Sequence, residues 1–307
     1  MNNVNSKAKE LYEIMATFRK NPYNLTYDGT VLTQQLQIFV EKQIPIKLII
    51  PACHGKSREK ICVFDKLPDL GEYLGIQNFA NLCLALQEHY APGVILDIIH
   101  EGYFYILTPF VQQDAEIESY MKIIKEMLEP YPFINSIELS NFFPELSDNE
   151  ARREKFLQIY APDDNTVDQL INTSSSINNL YINYQKIYKL YYKDILQDAD
   201  CSNKLFIKKC KQHARFQLKI YLGFGKLVKK HYESEHYIRL STLYKSPDFV
   251  DQLSINYLAN HHHIATPSFN CVVQTAPGYY EMIKYSEGVK RGLQIKEHKG
   301  FKYFAAA

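Results

Sequence analysis

An α/β fold with a mostly parallel sheet is what this sequence predicts, and three observations predict it. An apolar run rich in β-branched residues, IPIKLII at 44–50, ends at Pro51 and opens into a polar, basic loop. A second short apolar run, APGVILDII at 91–99, follows a Pro-Gly turn. Between them Phe79, Leu82, Cys83 and Leu86 fall at helical spacing. Strand, helix, strand is the unit of a parallel sheet, and its crossover is right-handed in nearly all cases. Both strand ends then lie on one edge of the sheet, so the loop at Lys56 and the loop at His100, Glu101 and Gly102 are expected to be neighbours.

Before the first strand, residues 5–43 read as two helices separated by the turn-like NPYNLTYDGT, with Thr30 capping the second. They would cover one face of the sheet. In LPDLGEYLG, Asp69 or a neighbour is expected to start the helix that joins the two strands. Residues 103–107 read as a strand continuation, followed by a helix with Ile117, Tyr120, Met121, Ile124 and Leu128 on one side, then a strand near Ser136. From about 144 to 235 nearly everything reads as helix, with breaks near Pro162 and 198–202, which makes this a helical insertion or subdomain in one α/β domain spanning 1–307. Its tyrosines Tyr181, Tyr184, Tyr188, Tyr191 and Tyr192 lie at helical spacing, which suits packing better than an aromatic substrate wall. The last third returns to strands, YIRLSTL, DQLSINYLA and NCVVQTA, then a helix at YYEMIKYSEGVKR and a final strand at KGFKYF.

Composition narrows the function classes. With 307 residues, 46% of them hydrophobic and 22% charged, the chain can bury a substantial core. A net charge of +1 supplies no overall field to draw it onto nucleic acid or an acidic membrane, so any basic site is local. The six cysteines show no C-x-x-C pair and no metal-ligand spacing, and MNNVNSKAKELYEIM has no apolar secretory core. No apolar run approaches the roughly 18 residues of a membrane span. A cytoplasmic protein with reduced thiols is the expectation.

The loop after the first strand carries His54, Gly55, Lys56, Ser57 and Arg58, groups that suit a phosphate at the carboxyl end of a sheet; an ordinary solvated loop is the other reading. HGKS is not a nucleotide-binding P-loop, because the first glycine of that turn should stand at position 50, which is Ile50. No G-x-G-x-x-G, G-x-S-x-G or H-E-x-x-H pattern is present, and consecutive His261, His262 and His263 cannot converge on one ion as spaced ligands do. No metal is expected.

A series of segments in fixed order stands above background. Pro51, Ala52, Lys56 and Ser57 are followed by LPDLGE at 67–72, YAPG at 90–93, Glu101 and Gly102 after a strand, IRLS at 238–241, LSIN at 253–256 and ATP at 265–267. This order resembles the pyoverdine/dityrosine biosynthesis family of isonitrile (isocyanide) synthases over roughly 44–130 and 236–285, and in the helical middle only in kind. The resemblance implies a Rossmann-like fold with helices on both faces of the sheet. It also implies a reaction of secondary metabolism: the amine of an amino acid, usually aromatic, condenses with the ketone of ribulose 5-phosphate, whose fragmentation leaves one carbon on nitrogen. No cofactor is implied for that step, and a pathway iron/2-oxoglutarate oxygenase is the implied partner.

On that reading Lys56 and Ser57, helped by Arg58, would hold the phosphate; Arg239, with Ser241 beside it, would bind the amino-acid carboxylate; Glu101, His100 and His54 would move protons. Each residue also has a structural reading, in which Lys56 is solvated, Arg239 pairs with a carboxylate and Glu101 caps a turn. The chain departs from the family pattern at His100–Tyr103, at Thr242 and Leu243, at Ser268 and Phe269, and at His54 and Gly55. Two histidines usual in the family are missing. A family member that kept the fold as a ligand-binding or regulatory protein therefore stands as the alternative.

Overall fold

The computed structural model describes residues 2–19, 29–59, 61–105, 113–191, 193, 202–242, 252–259 and 266–306. Two helices, α1 (Asn2–Thr17) and α2 (Thr30–Lys42), lead into β1 (Ile46–Ala52). Gly29, in the left-handed conformation at φ 73°, occupies the cap position before α2, and Thr30 is the first helical residue. The Pro-Gly turn expected before the second strand is present, with Gly93 at φ 88° and its amide donating to the Tyr90 carbonyl.

Five strands form a wholly parallel sheet in the order β3-β2-β1-β4-β5, where β2 is Val94–His100, β3 Ile134–Ile137, β4 Ile238–Ser241 and β5 Gln252–Ser254. The strand order reverses at β1, which lies between β2 and β4. A central strand buried on both faces explains why its sequence is a near-continuous aliphatic run. α3 (Leu70–His89) joins β1 to β2, and after the single turn α4 (Gly102–Tyr105), α5 (Asp114–Leu128) joins β2 to β3. The chain then steps back across β1 to β4. With right-handed crossovers, a reversal of direction puts the connecting helices on the opposite face. Those helices are α6 (Leu139–Phe142), α7 (Asn149–Ile159), α8 (Asp164–Thr173), α9 (Ser175–Tyr191) and the long α10 (Asn203–His231). The all-helical stretch expected between the third and fourth strands is therefore present among the described residues.

Register fixes which side chains share a face. Ile49 aligns with Asp97 and with Arg239, so these three point the same way. On that face the Tyr232 hydroxyl, just past α10, donates to Asp97 Oδ2 at 2.7 Å, and Lys47 Nζ lies 2.7 Å from the same oxygen. Helix α10 thus covers the Arg239 face, and its last turn carries Lys229, Lys230 and His231, as suits the negative end of a helix.

Two expectations give way here. Residues 102–105 form a helical turn, where a strand was expected, because the ladder of β2 ends at His100, the partner of Ala52; residues 106 and 107 lie outside the described set. The carboxyl-terminal part does not extend the parallel sheet. It forms a second, mixed sheet in the order β7-β6-β9-β8, with β6 Cys271–Ala276, β7 Tyr279–Ile283, β8 Gln294–His298 and β9 Phe301–Ala305. Residues 279–283, expected to be helical, pair antiparallel with β6, and only Tyr285–Lys290 (α11) is helix. The hairpin turn at Gly278, with φ 77°, decides this locally. The second sheet packs on α3, through pairs such as Tyr73 stacked on Phe301 at 5.2 Å.

Candidate functional site

The carboxyl ends of β1, β2 and β4 meet where the strand order reverses, the place at which open α/β sheets form a ligand crevice. The chain leaves β1 through Cys53, whose φ of 54° is costly for a residue with a Cβ, and through Gly55 at φ 87°. This sharp exit aims consecutive side chains in different directions. His54 turns toward the end of β2, and its Nδ1 lies 2.9 Å from Glu101 Oε2. The two loops are neighbours, as the crossover argument requires. Gly102 allows the approach, since a Cβ there would stand 2.6 Å from the His54 carbonyl oxygen.

Glu101 follows Ile99 in the strand alternation and shares the Arg239 face. Around it the insertion supplies Tyr184 from α9 and Tyr221 from α10. Burial, with Tyr221 and Glu101 nearby, pushes the Tyr184 hydroxyl up, and Gln217 hydrogen-bonds it. Burial likewise raises Tyr221, with Arg239 opposing and Glu101 reinforcing the shift. Gln217 and Tyr221, four apart, occupy one face of α10. Both phenols stay protonated at neutral pH.

Arg239 sits on β4 with its Nε buried and without a hydrogen-bond partner among the described residues, and Ser254 Oγ on β5 is in the same condition. Ser241 is the register partner of Ser254 and stands two residues beyond Arg239, so all three point to one face. Buried polar atoms left unsatisfied are uncommon, and a pair of them at a sheet's carboxyl end marks a place that a polar ligand would complete.

Lys56 lies elsewhere. It is 1% exposed, and its ammonium contacts Asp69 Oδ2 at 2.9 Å, Glu72 Oε2 at 2.8 Å and the Pro267 carbonyl at 2.9 Å. Three donors therefore meet three acceptors. Burial opposes its charge, but Asp69 and Glu72 more than offset this and hold its pKa above the usual value. Burial, with Glu72 adding to it and Lys56 opposing, pushes Asp69 up to about 7. Asp69 and Glu72 also form the capping box of α3, and the Tyr120 hydroxyl donates to Glu72 at 3.2 Å. The structure thus places Lys56 inside a closed cluster, where it ties its loop to the start of α3. Ser57 is buried too, its amide donating to the Ser268 carbonyl at 2.8 Å and its Oγ accepting from the Glu59 amide. Arg58, by contrast, is exposed on the same loop.

The structure does not bring His100 to the side of Glu101 either. It alternates with Glu101, so it points to the opposite face, where it is fully buried and its Nε2 lies 2.9 Å from Ser136 Oγ. Burial pulls its pKa down to about 3, so it is neutral at pH 7. His261–His263, Tyr192 and Leu243 lie outside the described residues. Among the described residues no group of three acidic, histidine or cysteine side chains could hold a metal, and no helix is long and apolar enough to cross a membrane.

Sequence reasoning missed Tyr221, Gln217 and Ser254 and undervalued Tyr184. The periodic tyrosine face was visible, but its members divide: Tyr188 is fully buried as packing, while Tyr184 borders Glu101. Only the fold of the insertion over the sheet separates them.

The family model for the pyoverdine/dityrosine biosynthesis protein matches residues 36–295. The L-tryptophan isonitrile synthase AmbI2 of Fischerella ambigua is 25% identical over 244 residues, which cover 78% of this chain and 71% of that protein. The L-tyrosine isonitrile synthase of Xenorhabdus nematophila is 22% identical over 288 residues, covering 91% and 84%. The crystal structure of the PvcA protein from Pseudomonas aeruginosa superposes with a TM-score of 0.84 at 21% identity, covering 98% of this chain and 100% of that one, a likeness of fold. With the model spanning most of the sequence, and the ordered motifs lying on the parallel sheet and its loops, the chain belongs to the pyoverdine/dityrosine biosynthesis family.

Proposed function

We propose that this protein is an isonitrile synthase acting on an amino acid with an aromatic side chain, with ribulose 5-phosphate as carbon donor. The observation that carries the reading is the pairing of Glu101 with His54, a carboxylate and an imidazole 2.9 Å apart, with Tyr221 near both Glu101 and Arg239, whose buried Nε has no hydrogen-bond partner among the described residues. Arg239 would take the substrate carboxylate, which suits a guanidinium fork. Tyr184 and Tyr221 would line the space for the side chain, offering ring faces and hydroxyls.

Forming an imine from an amine and a ketone requires proton transfer to the departing hydroxyl and from nitrogen. A carboxylate with a histidine at hydrogen-bond range is suited to both. Of the three β1-loop residues expected at the phosphate, Arg58 is the exposed one and would meet it from solvent. The named activities of the relatives support the reading: AmbI2 is a tryptophan isonitrile synthase and the Xenorhabdus protein a tyrosine isonitrile synthase.

The test is incubation of the purified protein with ribulose 5-phosphate and a panel of amino acids, with isonitrile read by mass spectrometry and a relative as positive control. Product is expected from an aromatic amino acid, reduced about 10²- to 10⁴-fold by Glu101→Gln, the range for general acid–base groups. Amino-acid binding without any product would instead establish the ligand-binding alternative.

A further inference from the structure

Of the motif LSIN at 253–256, three residues have a structural occupation. Leu253 lies in the core, and the Ile255 amide donates to the Ser241 carbonyl at 2.8 Å. Asn256 ties the strand end to its surroundings: its amide donates to the Phe18 carbonyl just past α1 at 3.3 Å, and its carbonyl accepts from Asn78 Nδ2 of α3 at 2.8 Å. Ser254 is the exception. Its Oγ is buried and has no hydrogen-bond partner among the described residues. A buried hydroxyl left without a partner is unfavourable, so one at a sheet's carboxyl end calls for an acceptor from outside the chain.

The strand beside it holds a cation in the same condition. In β4, Ile238 and Leu240 are fully buried, while Arg239 and Ser241 alternate to the other face. Ser241 is the register partner of Ser254, which puts Ser254 diagonally across from Arg239, within reach of a long side chain. Arg239 Nε is buried without a hydrogen-bond partner, and among the described residues no carboxylate lies within ion-pairing distance of the guanidinium. Tyr221 is near both Arg239 and Glu101, but Glu101 is paired with His54 at 2.9 Å. One guanidinium and one neutral hydroxyl match a single negative charge. A phosphate, near −2 at neutral pH, would need more cation than this, and the nearby Glu101 would oppose it. A carboxylate suits the pair, with the guanidinium fork on its oxygens and the serine hydroxyl donating to one of them.

We infer that Ser254 is a second substrate anchor, donating its hydroxyl to the carboxylate that Arg239 holds, so that the site selects amino acids over the amines that share their side chains. The inference rests on the isonitrile-synthase reading for the identity of that anion as an amino-acid carboxylate.

Calorimetry on the full chain with L-tyrosine, L-tryptophan, tyramine, tryptamine and ribulose 5-phosphate would test it, alongside KM in the isonitrile assay. An aromatic amino acid should bind at least about 100-fold more tightly than its amine, because the amine leaves the site's buried polar groups unpaired. Ser254→Ala should weaken amino-acid binding about 10- to 100-fold, the range for a hydrogen bond to a charged group, and should raise KM rather than lower kcat. It should leave the amines and the urea midpoint unchanged, since Oγ bonds nothing in the described chain. In the Arg239→Gln background the same change should cost less than about 3-fold, because the two groups hold one carboxylate. Amino-acid binding that depends on Ser254, without any isonitrile, would uphold the anchor and overturn the reaction. Isonitrile formed with KM unmoved by Ser254→Ala would do the reverse. Equal affinity for amino acid and amine, a loss of ribulose 5-phosphate binding in place of amino-acid binding, a full effect of Ser254→Ala in the Arg239→Gln background, or a fall in the urea midpoint would each overturn the anchor.

Discussion

Two regions on either side of the β1 exit loop show how one segment serves opposite ends. At Lys56 the loop enters a closed cluster in which each donor of the ammonium has its acceptor, Asp69, Glu72 or Pro267. At His54 it borders an open corner where Glu101 has a partner but, among the described residues, Arg239 Nε and Ser254 Oγ have none. The motif residues divide between the two. Lys56, Asp69, Glu72 and Pro267, drawn from three separate segments of the ordered series, meet in the closed cluster. Glu101, Arg239 and Ser254 come from three others and face the corner. A motif series that identifies a family therefore mixes residues that hold the scaffold with residues free to meet a ligand.

The contrast is sharpest when each region loses its cation. Lys56→Ala leaves two buried carboxylates unpaired and should cost about 3–5 kcal/mol of unfolding free energy, measured by urea denaturation. A loss below about 1 kcal/mol would mean that the cluster does not hold the loop. Arg239→Gln should behave in the reverse way, changing stability by less than about 1 kcal/mol while reducing kcat/KM for the amino acid about 10- to 100-fold through KM, as loss of a charge-assisted hydrogen bond implies. If the KM does not move, Arg239 is not the carboxylate partner.

Smaller effects test the link between the regions. Gly102→Ala puts a methyl group 2.6 Å from the His54 carbonyl oxygen and must part the two loops. A cost of about 1–3 kcal/mol is expected, as for other overpacked sites. Product formation should fall as well, because the His54–Glu101 distance opens; unchanged turnover would detach that pair from the chemistry.

The smallest effect near neutral pH belongs to His100. Its folded pKa of about 3 lies below the unfolded value of 6.5, so its stabilisation is present above pH 6.5 and is lost as pH falls toward 3. Compared with His100→Asn, the wild type should lose about 1.4 kcal/mol per pH unit across that window. Asp69, raised to about 7, acts in the opposite direction, losing stability as pH rises from its ordinary range, so the comparison with the variant is what isolates His100. A pH-independent difference would show that His100 is not buried neutral.

The sequence by itself determined the parallel sheet, the helix between β1 and β2 with its start at Asp69 or a neighbour, the helical stretch and the adjacency of the Lys56 and Glu101 loops, because hydrophobic period, cap chemistry and crossover handedness are local or nearly local signals. It could not determine that His100 and Glu101, adjacent in sequence, face opposite sides of the sheet, since the end of a strand and the faces covered by helices are set by pairing with Ala52 and Ser136. Nor could it separate a lysine aimed at a ligand from one buried between Asp69 and Glu72, 13 and 16 residues away in the chain. Tyr184, Tyr221 and Ser254 became candidates only when the insertion was laid over the sheet, and the second sheet followed from the pairing of β6 with β9, distant in sequence. Charge and aromatic content are written in the sequence; which neighbours satisfy them is decided by long-range packing.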